Sequence, residues 1–404
     1  MLITRKKFLI SVLFASVLPG CTTTSPMRRP EYEQHDFSSP QKVYYAGVSV
    51  VGDYKDNEAN VPYASSMLAE LDAVMLDKIQ RQKGNFRYLD LKTGELGRVD
   101  SSDALAFSLG IDLESVVAHP WIDGRFKVVF DVYAQLIFFD YAEKKIVRSV
   151  PVNYQYITLM DHMPTEEDSR MIFKGIYAGG LDGLGKGLVE AAVEKLLELK
   201  VKSSYRAYLK VGNVDVEDKA IKTLSKFKKS KTQYESLIAQ LLSKSIVDNT
   251  GAAVVPYTPG QAIGAKMIGR FSNGLQYSFV MPDPDYVIDI ELKSLKKARD
   301  TKSSSKIDVE VYLAFMRLKV RQPDLGKTYM DQLYRATGRA ELVKGQKAEL
   351  EAAYTETIMG FFEGFSKNLF EIDDEWIERS VPPKARSRAE LELERTSKAV
   401  EMCF

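Results

Sequence analysis

The feature that most constrains the fold is the two-residue period within Phe126 to Asp140. Phe126, Val128, Phe130, Val132, Ala134, Leu136 and Phe138 all fall on one side of a two-residue period. Such a period collects side chains on one face of a strand and scatters them around a helix. The other face, Lys127, Val129, Asp131, Tyr133 and Gln135, is mixed, as expected of a sheet buried on one side. Ala142-Glu143-Lys144-Lys145 supplies a polar turn, and Ile146–Ile157 returns as the hairpin partner.

Elements on either side supply cover. Val43–Val50 is apolar and β-branched and ends at Gly52-Asp53, which predicts a strand. Leu68, Leu71, Met75 and Ile79 recur at helical spacing until Lys83-Gly84-Asn85 stops them. Phe86–Leu89 reads as a short strand, helix and loop are expected through Pro120, and a single helix over about 171–199 closes the unit. The order then recurs. Tyr205–Val216 is a strand, and Tyr234, Leu237, Ile238, Leu241, Leu242 and Ile246 form a helical stripe stopped by Asp248-Asn249-Thr250-Gly251. Ala252–Val255 is a strand, Tyr286–Leu295 and Ile307–Arg321 a hairpin joined by the Lys- and Ser-rich 296–306, and 345–369 a helix. Tyr177, Gly183 and Gly187 share their mutual spacing with Tyr354, Gly360 and Gly364, which places them at equivalent points of two closing helices. The expected fold is therefore α+β: two tandem modules, each a small mixed or antiparallel sheet with a long hairpin covered by helices. The modules span 41–200 and 201–370, and 371–404 forms a charged C-terminal tail or helix.

Composition excludes several function classes. The chain has 404 residues, 56 Lys+Arg against 55 Asp+Glu, and 45% hydrophobic residues, enough for two real cores but with no net field to attract nucleic acid. Two Cys cannot build a disulfide framework or a Cys-based zinc site, and three His leave little for catalysis.

At the amino terminus Arg5, Lys6 and Lys7 precede an apolar run from Phe8 to Leu18, the charged and hydrophobic regions of an export signal. The run is too short to span a bilayer, which takes ~20 residues. It ends in Leu18-Pro19-Gly20-Cys21, followed at once by Thr22, Thr23, Thr24, Ser25 and Pro26. This junction resembles the lipobox of bacterial lipoproteins, although Pro19 stands where that family usually has Ala or Ser. The resemblance implies cleavage after residue 20, diacylglycerol and acyl (palmitate-type) attachment at Cys21, and a flexible tether over 21–40. Two or more acyl chains suffice for stable anchoring, at about 0.8 kcal/mol per buried methylene. Thr22, where an Asp would favour inner-membrane retention, implies the outer membrane, periplasmic face. Cys403 is left as a lone thiol near a chain end, expected to bridge only between chains.

A strand-helix-strand-hairpin-helix unit after a lipobox resembles the small α+β domain shared by the amino-terminal domain of TolB, the periplasmic part of the curli secretion-channel lipoprotein, and some lipoprotein activators of peptidoglycan synthases. The resemblance rests on element order over about 41–370 and on the lipobox, and no site residue is carried over. It implies a non-catalytic, lipid-anchored periplasmic scaffold or assembly factor of an outer-membrane envelope or secretion complex. Its partners would be envelope proteins, and a homo-oligomeric ring is one arrangement such modules adopt. Two other readings stay open: a regulator of a peptidoglycan-synthesising enzyme, and a periplasmic hydrolase whose site has no recognisable motif.

Other motifs are weak. Gly180–Lys186 fits a phosphate loop up to its Lys, but Gly187 replaces the magnesium-binding Ser or Thr and no strand leads in. His35, His119 and His162 stand far apart, and Asp283-Pro284-Asp285 and Asp373-Asp374 lack the remaining ligands of a calcium loop. No cofactor, metal or catalytic residue is therefore expected. Lys226-Phe227-Lys228-Lys229-Ser230-Lys231 is a basic patch whose anionic partner would be lipopolysaccharide or peptidoglycan, or else a solvated inter-module segment.

Overall fold

The computed structural model describes residues 39–52, 60–94, 104–120, 125–181, 185–224, 229–257, 266–300, 307–344 and 350–403. In the first half, β1 (Gln41–Gly52), α1 (Pro62–Arg81) and β2 (Leu89–Lys92) are followed by three long strands, β3 (Leu105–Pro120), β4 (Phe126–Asp140) and β5 (Ile146–Met160). Two helices close it, α2 (Glu166–Ala178) and α3 (Leu188–Glu198). The second half runs β6 (Leu209–Val216), α4 (Asp218–Leu224), α5 (Lys231–Thr250), β7 (Val254–Val255), β8 (Lys266–Phe271) and β9 (Gln276–Val280). It continues with β10 (Tyr286–Arg299), β11 (Ile307–Gln322), β12 (Lys327–Val343), α6 (Leu350–Asn368), α7 (Asp374–Ser380) and α8 (Arg386–Val400). The fold is α+β, as the alternation and helical stripes require.

The repeat is visible in the pairing. β1 lies parallel to both β2 and β3, and β3–β4–β5 is an antiparallel meander. Likewise β6 lies parallel to β7 and β10, and β10–β11–β12 is a meander. β5 meets β7 antiparallel at Ser149 and Val254, so the two halves join edge to edge in one sheet ordered β12-β11-β10-β6-β7-β5-β4-β3-β1-β8-β9. Arg148 fastens the seam: its guanidinium donates to the Lys200 carbonyl at 2.6 Å and the Gly251 carbonyl at 3.0 Å.

One segment crosses the expected boundary at residue 200. The β8–β9 hairpin belongs to the second half by sequence, yet β8 pairs with the end of β1, Ser49–Gly52 against Ile268–Phe271. β2 and β8 take successive lengths of the same edge of β1, opposite β3. The hairpin also roofs a second core on the outer face of the sheet, where Phe271 and Phe279 pack with Val51, Ile137 and Phe139. The main core lies between the other face and the helices, with Phe107, Phe130, Phe138 and Phe173 at its centre.

Three expectations need correction. The helix-and-loop region before Pro120 is β3. Its inner residues Leu105, Phe107, Leu109 and Ile111 alternate, but the interleaved Ala106, Ser108 and Gly110 have low strand preference. Small residues are required there, since a Cβ at Gly110 would stand 2.7 Å from Ile137 and 2.9 Å from Val51. The Tyr286–Leu295 and Ile307–Arg321 hairpin forms as expected, but the chain goes on into a third strand, so Ile307–Arg321 is also the middle of a meander. Its further partner β12 is a sheet edge whose Asp331, Arg335 and Arg339 dilute the apolar signal of Met330, Tyr334 and Ala336. The single closing helix over 171–199 is two helices, broken where Gly179 and Gly180 take φ of 85° and 98°.

That break also ends the glycine equivalence. Gly187 is the N-cap of α3 and Gly183 lies outside the described residues, whereas Gly360 and Gly364 sit inside α6. Within α6 the two differ: a Cβ at Gly364 would meet Trp376 Nε1 at 2.2 Å, while one at Gly360 meets nothing within 4 Å. Gly360→Ala is therefore expected to stabilise by about 0.5–1 kcal/mol through helix propensity and a stiffer unfolded chain. Gly364→Ala is expected to destabilise, and urea denaturation of the two variants side by side checks the sign of each.

The last residues are ordered helices. Trp376, Ile377, Ala389, Leu393 and Val400 are buried against the second half, and Trp376 stacks on Phe361 with centroids 5.5 Å apart. Cys403 is fully buried behind them, and burial pushes its thiol up to about 12. It is therefore no inter-chain bridge in this fold.

Candidate functional site

The outer faces of β4 and β5 turn toward the second half. Register sets Asp131 opposite Gln155 and Tyr133 opposite Asn153, so period-two geometry gathers four polar side chains into one patch. α5 and α6 close over it with Leu237, Leu241 and Met359, and Val117 and Val129 form the apolar floor. A cleft of about 200 Å³ remains between the halves.

Four of its charged groups, Asp131, Lys229, Lys244 and Glu351, are engaged in internal bonds, and Glu356 stands exposed at the rim. Glu351, in the first turn of α6, accepts from Lys229 Nζ at 2.7 Å and from the Tyr234 hydroxyl at 3.2 Å. Asp131 accepts from Gln155 Nε2 at 2.8 Å, and Lys244 donates to Asp248 at 2.5 Å. Burial, with Asp131 and Glu351 nearby, raises the Tyr133 phenol well above its ordinary pKa, so it stays a neutral group. Asn153 differs from all of these. Both its Oδ1 and its Nδ2 are buried and neither has a hydrogen-bond partner. A buried amide left this way costs about 1–3 kcal/mol.

Deeper along the same face, a bulge in β3 between Ile111 and Leu113 turns Asp112 toward Gln135. Gln135 Nε2 donates to both Asp112 oxygens, at 3.0 and 2.9 Å, and its carbonyl accepts from the Ser149 hydroxyl. The adjoining void of about 20 Å³ has room for one water. Burial outweighs the Gln135 hydrogen bond and pushes the Asp112 carboxyl up to about 7. A carboxyl that binds its proton more tightly folded than unfolded stabilises at low pH. This contribution is present below about pH 4, the unfolded value, and is lost as pH rises through about 7. Asp112→Asn, which keeps an acceptor for Gln135, is expected to flatten the decline of thermal stability over that window. Melting temperatures at pH 4, 5.5 and 7.5 check it.

Glu114, two residues on, performs a structural task. α1 begins at Pro62 with Val61 as N-cap and no capping side chain of its own. Glu114 reaches across from β3 to accept from Tyr63 N at 2.9 Å, Ala64 N at 2.8 Å and the Tyr177 hydroxyl at 2.5 Å. It ties helices α1 and α2 to the sheet through one carboxyl. Burial, working against these three donors, pushes that carboxyl up to about 7.

The residues singled out in the sequence fare differently. Cys21 and the tether up to residue 38, His35 included, and Lys226, Phe227 and Lys228 lie outside the described residues. Of the basic patch, Lys229 enters the Glu351 pair and Lys231 pairs with Asp215 at 2.7 Å, so both serve the fold. Lys186 pairs with Glu194, and helix α2, not a strand, leads into its loop. His162 is exposed, with Nδ1 2.9 Å from the Met163 carbonyl. His119 lies on β3 opposite Lys127. Asp285 accepts from Tyr208 N at 2.8 Å, and Asp373 is the N-cap of α7. Among the described residues, no group of three or more His, Cys, Asp or Glu is placed to hold a metal ion, and no helix is long and apolar enough to cross a membrane.

The sequence matches no protein-family profile and no curated protein. Among solved structures it is similar to the crystal structure of a neuraminyllactose-binding hemagglutinin homologue from Helicobacter pylori. Identity is 11%, coverage is 44% of this chain and 90% of that one, and the TM-score is 0.25. A TM-score this low relates neither fold nor function to this chain.

Proposed function

We propose that the chain is a lipid-anchored scaffold of the bacterial cell envelope, held by acyl chains on Cys21 to the periplasmic face of the outer membrane, and that it acts by binding other proteins. The observation that carries this reading is the cleft between the two halves. Asp131, Glu351, Lys229 and Lys244 are engaged in internal bonds, beside an apolar floor of Val117 and Val129. Such a lining suits binding rather than acid–base chemistry. The lipobox-like Leu18-Pro19-Gly20-Cys21 supplies the anchor.

Cross-linking in intact envelopes, read by mass spectrometry, tests the binding role. Cross-links from Lys244, at the cleft, to other envelope proteins are expected. Turnover of a cell-wall or lipid substrate by the purified protein, abolished by a single carboxylate substitution, would replace this reading with a hydrolase.

A further inference from the structure

We propose that the free edge of β12 takes up an acidic segment of another protein as an added antiparallel strand, opposite Arg335, Thr337 and Arg339. This goes beyond the scaffold reading. It names a docking surface other than the cleft between the halves, and it holds whether or not Cys21 is acylated.

β12 is the last strand of the sheet. The Asp331 amide donates away from β11, to Glu392 Oε2 of α8 at 3.1 Å. That bond sets the sense of the whole strand, because the register with β11 runs without a shift from Met330 to Val343 and hydrogen-bonded pairs alternate along an antiparallel ladder. Leu333, Arg335, Thr337, Arg339 and Glu341 therefore also aim their N–H and C=O out of the sheet. Among the described residues no group bonds these five amides, and such a row is a template for a further strand. Room lies beside it. Ala336, Gly338 and Ala340 of β12 face Ala353 and Gly360 of α6, and these small residues leave a cleft of about 360 Å³ that reaches the edge at Arg335, Thr337 and Arg339. An added strand would send alternate side chains into it, against Phe361 and Trp376.

Charge selects the segment. The lining holds three guanidiniums, of Arg335, Arg339 and Arg379, against one carboxylate, of Glu356. Among the described residues Arg335 and Arg379 bond only carbonyls, those of Arg379 at 2.8 Å and of Glu375 at 3.2 Å, while Arg339 meets Asp300 at 3.4 Å. Residues directly opposite on antiparallel strands share a face. Acids on the added strand would thus stand opposite Arg335 and Arg339, with the residues between them turned inward.

The test uses the full chain in detergent and fluorescence anisotropy of three dye-labelled peptide amides: Glu-Val-Thr-Val-Glu, the same peptide methylated on the Thr nitrogen, and Lys-Val-Thr-Val-Lys. Saturable binding of the first is expected, at least tenfold weaker after N-methylation or with Lys in place of Glu. Thr337→Pro removes an outward N–H that the ladder does not use, at an edge where Pro is tolerated. It should weaken binding at least tenfold while melting near the wild type. Should it melt early, Arg335→Glu decides, since that exposed change should reverse the preference toward the Lys peptide. No saturable binding, equal binding of the N-methylated peptide, or an unchanged preference in Arg335→Glu would overturn the proposal. So would dimerisation of the wild type that the peptide fails to compete, which would give the edge to a second copy. Absence of cross-links from the cleft between the halves would sink the scaffold reading and leave this surface untouched.

Discussion

Glu114→Ala is expected to cost roughly 3–5 kcal/mol, a large share of a stability that for most domains totals only about 5–15 kcal/mol. The substitution strands three buried donors at once: the Tyr63 and Ala64 amides that open α1, and the Tyr177 hydroxyl on α2. α1 cannot recover by itself, since Val61 provides no capping oxygen and Pro62 adds none. Glu114→Gln fills the same space, but its amide nitrogen turns a donor toward donors, so it should recover only part of the loss. Urea denaturation of both variants reads this as a lowered midpoint at an unchanged slope. A loss below about 0.5 kcal/mol for Glu114→Ala would mean that water replaces the carboxyl and that the helix is not tied to β3 as described.

Phe279→Ala is expected to cost about 3–5 kcal/mol, and where that loss is felt matters more than its size. Phe279 is fully buried on β9 and meets Phe139 of β4 edge-on, with ring centroids 4.8 Å apart. The hairpin comes from the second half, but the strand it covers is β1. Amide hydrogen exchange should therefore accelerate in Ser49–Gly52, more than two hundred residues away in sequence, before it accelerates in β10–β12. Faster exchange confined to β10–β12 would contradict the hairpin's position.

These two sites also mark what local pattern can and cannot reveal. Phe126–Asp140 announces a strand because every second residue from Phe126 to Phe138 is apolar, and α1 and α5 announce helices because Leu68–Ile79 and Tyr234–Ile246 keep helical spacing. β3 stays hidden because tight packing on its outer face demands Ser108 and Gly110, residues that weaken the strand signal. β8 and β9 are too short to carry much pattern, and their choice of β1 as partner is a long-range decision that no window of sequence contains. The cleft was illegible for a similar reason, since Asp131, Asn153, Lys229 and Glu351 lie on four separated segments. One signal was present. Glu351 precedes Tyr354, Ile358, Phe361 and Phe365 on the buried stripe of α6, and an acid at a core-facing position calls for a buried partner.

In the proposal above, a folded body is tied to a membrane at one residue, Cys21. Intact-mass spectrometry of the protein extracted from membranes, with sequencing of its amino terminus, measures this directly. The account predicts a chain that begins at Cys21 and carries the added mass of a diacylglycerol and an amide-linked acyl chain, with both modifications lost in Cys21→Ser. A mature chain that begins at any other residue, or that carries Cys21 as a free thiol, would contradict it.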